Sequence, residues 1–163
     1  MRLTIRWTNK QQVLNYLLLF AGPKSSRPLK EAVGKAAIRV QAAMRDNLES
    51  MIYAQPQSAS GYIRTRTLYR AAHAARPSND HSSDEVRARG GQDLAAHSPL
   101  QVVEMRGDTI ASHIGVWISY AHAVHQGINQ PAPRPFMRNL DKDAADILNE
   151  EVTEAIMVMA HRR

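Results

Sequence analysis

Between residues 28 and 52 apolar side chains recur at three- and four-residue steps: Leu29, Val33, Ala36, Val40, Met44, Leu48, and Met51 or Ile52. That spacing lines one face of a helix. At 3.6 residues per turn it predicts a helix of about six turns. Pro28 suits the first turn, where its missing N–H costs nothing. Gly34, a poor helix former, weakens the pattern slightly. A stripe this long has to be covered, so the rest of the chain is read for what covers it.

The opening RLTIRW alternates, with Leu3, Ile5 and Trp7 on one side and Arg2, Thr4 and Arg6 on the other. That is the period of a half-buried strand. Thr8 or Asn9 can cap a following helix with Val13, Leu14, Leu17 and Leu18 on one face, ended by Gly22-Pro23. Residues 55 to 61 are a loop by composition, and Leu68, Ala71, Ala72 and Ala75 can form a short helix that stops before Pro77. LQVVEMR and TIASHIGVWI flank Gly107-Asp108, a two-residue hairpin signal. In the second arm Ile110, Ile114, Val116 and Ile118 share one face, with Ala111, His113 and Trp117 on the other.

A last helix is expected from near Pro135. Its stripe is Phe136, Leu140, Ala144, Ile147, Leu148, Val152, Ala155, Ile156 and Met159. Asp141 and Asp143 lie early and His161, Arg162 and Arg163 late, as the helix dipole favours. Glu150 and Glu151 read as part of its solvated face.

Together these elements predict one α+β domain over residues 1–163. A small antiparallel sheet, made of the N-terminal strand and the hairpin, is packed by the long central helix and the C-terminal helix. Residues 77–99 hold almost no large apolar groups and read as a mobile loop or arm. With 44% hydrophobic and 22% charged residues, the chain is not disordered by composition. The apolar cluster VLNYLLLFAG is too short to span a membrane, so assembly in the cytoplasm is expected.

No cysteine is present, which removes disulfides, thiolate metal sites and thiol nucleophiles. No nucleophile elbow, phosphate-binding glycine loop or metal-ligand spacing stands out. His122 and His125, three apart, share a helical face, but their neighbours are not ligands. His73, His81, His97, His113 and His161 are scattered along the chain. No catalytic residue, metal or cofactor is therefore assigned.

The net charge of +6 suits a polyanionic neighbour. Arg64, Arg66, Arg70 and Arg76 interleave with Tyr62, Thr65, Thr67 and Tyr69, and Arg87 and Arg89 follow. Arginine with tyrosine suits nucleic-acid backbones and bases; it equally suits protein interfaces. Further on, YAHAVHQGINQPAPRPF carries Pro131, Pro133 and Pro135, which hold the backbone extended. Gly127 permits a turn there, and Phe136 can anchor the final helix in the core. A stiff, low-entropy loop of this kind suits docking on another protein.

These residues resemble the family of neck, or tail-completion, proteins at the head–tail junction of long-tailed bacteriophages, which includes relatives of the lambda minor tail protein Z. The resemblance rests on RLTIRWTNKQQVLNYLLLF, on YIRTRTL, on SYAHAVHQG, and on a proline-rich stretch running into RPFMRNL. YIRTRTL is similar to the family's tyrosine-x-arginine-threonine-glycine-x-leucine signature, with Arg66 in the glycine's place. SYAHAVHQG is similar to its tyrosine-alanine-x-x-valine-glutamate-x-glycine signature, with His125 in the glutamate's place.

The resemblance implies a virion structural protein without catalysis. It would form a homo-oligomeric ring, a hexamer or dodecamer, that joins the head connector to the tail. Head-closure proteins and tail terminator or tail tube proteins would be its neighbours, and DNA would pass through the channel. Tyr62, Arg64, Thr65, Leu68, Arg70, Tyr120, His125, Gly127, Pro133, Pro135 and Phe136 are the expected subunit or partner contacts. Arg66, Arg87 and Arg89 are the candidate DNA-facing residues. A basic nucleic-acid-binding module is the alternative reading, and a small nuclease using His113, His122 or His125 is a more distant one.

Overall fold

A computed structural model of the chain describes residues 2–6, 26–54, 65–95, 98–107, 109–128 and 133–161. The helix expected from Thr8 or Asn9, Trp7, the 55–61 loop and Asp108 lie outside the described residues.

Strand β1 is Arg2–Arg6. Helix α1 runs Ser26–Leu48 and continues into a π-helical turn, Glu49–Tyr53. A five-residue helix α2, Thr67–Ala71, passes directly into strand β2, Ala72–Ala75. Helix α3 is Asp84–Arg89, and a 3-10 turn covers Pro99–Gln101. Strands β3, Glu104–Arg106, and β4, Thr109–Val116, form the hairpin. Helix α4 is Ala121–Gln126 and helix α5 is Leu140–His161.

β4 is the central strand. β1 pairs antiparallel along it from Arg2↔Gly115 to Arg6↔Ala111, while β2 pairs from Ala72↔Val116 to Ala75↔His113. β3 pairs with β4 nearer the turn, Arg106 opposite Thr109, so β2 and β3 lie end to end along one edge. The expected α+β architecture, a small antiparallel sheet with long helices on it, is the one observed. β2 is the difference. AHAA reads as helix by propensity, yet it becomes a strand because β4 on one side and α1 on the other claim its backbone. The Ala74 N–H donates to Gln41 Oε1 at 2.8 Å, and Arg45 Nε donates to the Ala72 carbonyl at 2.9 Å. Two side chains of α1 thus satisfy an edge that would otherwise be open.

The core lies between the sheet and α1. Val33, Ala36, Val40, Met44 and Leu48 meet Ile110, Ile114, Val116, Ala72 and Ala74 there. Each large side chain so enclosed stabilises the fold by about 1.5–3 kcal/mol relative to exposure. α5 packs along α1 through Leu140, Ala144, Leu148 and Val152.

Three further expectations are corrected. Pro135 does not start the last helix: a turn through Asn139, whose φ is 64°, precedes Leu140. Glu151 is not on a solvated face. It is buried and bonded to Arg39 at 2.9 Å, with Glu150 beside it at 2.8 Å. The 77–99 segment is not all loop: its described residues carry α3 and bury Asp84, Ala88 and Leu94.

Candidate functional site

The pleat puts His73, Ala75, His113 and Gly115 on the sheet face opposite Ile114 and Val116. The segment from Pro77 through α3 folds toward that face, and three polar side chains meet under Trp117. His73 comes from β2, His81 from the turn before α3, and Asp84 from the first residue of α3. Asp84 Oδ2 lies 3.1 Å from His73 Nε2 and 2.5 Å from His81 Nδ1. Its other oxygen receives Arg87 Nη1 at 3.4 Å. The His81 ring stacks on Trp117 at 4.0 Å between centroids, and His73 leans on the same indole at 4.4 Å. His73 and Asp84 are buried.

The hydrogen bonding assigns protons. His73 Nδ1 lies 2.8 Å from the Ala71 carbonyl, which can only accept, so Nδ1 carries the hydrogen. Burial lowers the His73 pKa, and this outweighs the carbonyl and the Asp84 charge, which raise it. His81 Nε2 is buried with no hydrogen-bond partner.

Short contacts anchor α3 to its surroundings. Glu85 accepts from the Ser119 N–H and hydroxyl, each at 3.2 Å, and pairs with Arg89 at 2.5 Å. Arg89 lies over the Tyr120 ring at 6.0 Å. The Leu94 N–H donates to the Arg70 carbonyl at 3.3 Å.

The residues expected at interfaces are dispersed. Tyr62 and Arg64 lie outside the described residues, as does Pro131. Leu68 and Phe136 are enclosed in the core. Thr65 is exposed, its hydroxyl 2.5 Å from that of Thr67, and Arg70 is half-buried. Tyr120 and Pro135 are half-buried and Pro133 is exposed. His125 stands edge-on to Phe136, and its Nδ1 accepts from the Met137 N–H at 3.5 Å. The Arg134 N–H donates to the Val124 carbonyl at 3.2 Å, tying the proline stretch to α4. Gly127 closes α4 with φ 74°.

The three arginines assigned to DNA all have acidic partners within the chain. Arg66 pairs with Glu49 and lies over the rings of Tyr53 and Tyr69; Arg87 pairs with Asp84 and Arg89 with Glu85.

Sequence reading treated His73 and His81 as scattered, and the fold brings them together with Asp84. The His81-x-x-Asp84 spacing at a helix start is the one local signal that could have flagged the pair. Nothing local pointed to His73, because its strand was not foreseen.

The fold defines an α+β domain with the long helix α1 on one sheet face and, on the other, a His–Asp–His cluster closed over by α3. The chain matches no family model, no curated protein and no solved structure. None of the helices among the described residues is long and apolar enough to cross a membrane.

Proposed function

We propose that the protein is a structural component of the bacteriophage neck, acting as a ring between the head connector and the tail. The reading rests on the family resemblance, and one observation supports it most. Two signature positions that call for glycine both adopt left-handed backbone here. Arg66 stands in the glycine's place in YIRTRTL with φ 56°, and Gly127 ends YAHAVHQG with φ 74°. A non-glycine residue with positive φ is uncommon and strained. Left-handed backbone at both places is what a glycine there would accommodate, and this supports the reading. The Arg66 ion pair with Glu49 and the tyrosine rings beneath its guanidinium offset that strain.

Docking would run through the exposed parts of the two signature segments: Thr65 and Arg66 on one side, and Pro133 with Gln126 at the end of α4, beside the Gly127 turn, on the other. The enclosed Leu68 and Phe136 would hold those segments in place rather than touch a partner. Ring closure would come from head-to-tail contacts between copies, giving a hexamer or dodecamer.

The test is particle assembly with Pro133→Ser and Pro135→Ser together. Heads and tails should accumulate unjoined while the purified variant melts like the parent protein. Normal joining would reduce the segment to a connector and remove the main support for the docking role.

A further inference from the structure

We propose that His73, His81 and Asp84 form a binding site for one divalent transition-metal ion of the zinc type. Their ligand atoms all lie within 4.8 Å of one another. The argument starts from a mismatch. With its proton on Nδ1 for the Ala71 carbonyl, a neutral His73 turns the lone pair of Nε2 toward Asp84 Oδ2, 3.1 Å away. Two acceptors facing each other in a buried site repel unless a cation lies between them. A proton on Nε2 is one such cation, and it places a charged ring in a buried site. A metal ion is the other, and it needs the neutral ring.

The surroundings fit a metal better than a proton. Ligating histidines commonly donate their second ring N–H to a backbone carbonyl, which fixes the ring and its tautomer. His73 does this with Ala71. The Asp84 carboxylate is divided in its contacts: Oδ1 receives Arg87, which leaves Oδ2 facing both imidazoles.

Tetrahedral zinc with bonds near 2.0–2.1 Å needs ligand atoms about 3.3 Å apart. The His73–Asp84 separation of 3.1 Å is already close to that. The 2.5 Å separation of His81 and Asp84 has to open on metal binding, by a turn of the His81 ring that stacks on Trp117. Two nitrogens and one oxygen suit zinc over the alkaline-earth ions, which prefer oxygen-only shells. The ion would pin β2, the turn at residue 81 and α3 together, so its role would be to lock the Pro77–Gly91 segment onto the sheet.

The full chain, purified without a histidine tag and stripped with chelator, is titrated with zinc against a chromophoric competitor at neutral pH. One equivalent should bind per chain, with a rise in melting temperature. Asp84→Asn and His81→Gln should each weaken binding by about a hundredfold or more, exceeding the usual effect of losing an outer partner. His122→Ala, which alters an exposed histidine on α4, should leave it unchanged. Heteronuclear NMR of the imidazole nitrogens in the unmodified protein supplies a readout independent of any variant's folding, since zinc should shift the signals of His73 and His81. Absence of stoichiometric binding, binding indifferent to Asp84→Asn, or a His73 imidazolium at neutral pH that zinc does not displace would each overturn the site.

Discussion

Gly34 of α1 and Pro99 are in direct backbone contact: a β-carbon on Gly34 would lie 2.1 Å from the Pro99 carbonyl oxygen and 2.8 Å from its α-carbon. The glycine that weakens the longest helical pattern in the chain is therefore the point where the 3-10 turn leading into the hairpin rests on that helix. Gly34→Ala should gain up to about 1 kcal/mol in helix propensity. The clash is with main chain and cannot be relieved by a rotamer change, so a net loss of about 1–3 kcal/mol is expected. Thermal unfolding should report this as a fall of at least about 3 °C. A melting temperature equal to or above the parent's would show that the contact is slack.

Arg45 and Asp93 should respond unequally to substitution. Arg45 is buried, donates to the Ala72 carbonyl at 2.9 Å, forks onto Asp93, and lies 5.0 Å from the Tyr69 ring centre. Arg45→Met strands a carbonyl on the β2 edge and should cost about 2–3 kcal/mol. The Asp93 side chain is 54% exposed, so Asp93→Ala should cost less than about 1 kcal/mol. Denaturant midpoints of the two variants decide the point, and equal losses would contradict it.

Acid should destabilise the fold through histidines that are partly or wholly enclosed. The His125 pKa is lowered, first by burial and then by the charge of His122. His73 is lowered too, chiefly by burial, among Asp84, His81 and Arg45. A histidine with a depressed folded pKa is protonated first in the unfolded chain. Its contribution is therefore whole above about 6.5 and is lost as pH falls through that value toward the folded pKa. His125→Asn keeps an acceptor for the Met137 N–H, so its stability should fall less between pH 7 and 5 than the parent's. A variant with an unchanged or steeper pH dependence would rule out this role for His125.

Free protein should bind bare duplex DNA only weakly, and with a shallow salt dependence. Arg66, Arg87 and Arg89 already pair with Glu49, Asp84 and Glu85, so a phosphate has to displace a carboxylate at each. Fewer than about three counterions should be released per protein, read as the slope of log affinity against log salt. A steep slope would favour a nucleic-acid-binding module over a structural ring.

Much of the architecture was legible from spacing. The α1 stripe, the alternation in β1, the hairpin at Gly107 and the α5 stripe each depend on local period, and local period is a property of the chain itself. Misreadings arose where neighbours outvoted the period. Ala72–Ala75 has helical residues but strand geometry, because β4, Gln41 and Arg45 supply partners for its backbone. Glu151 sat at a position that reads as solvated, and a residue more than a hundred positions away, Arg39, made its burial possible.

The sequence by itself determined the class of fold, since the two long apolar stripes and the alternating strands leave few ways to cover one another. Only the tertiary structure decided where the chemistry lies. His73, His81 and Asp84 converge because an unforeseen strand and a polar-looking segment close on the same face of the sheet. The i,i+3 spacing can set His81 beside Asp84, but His73 reaches them only through long-range packing, which local spacing does not encode.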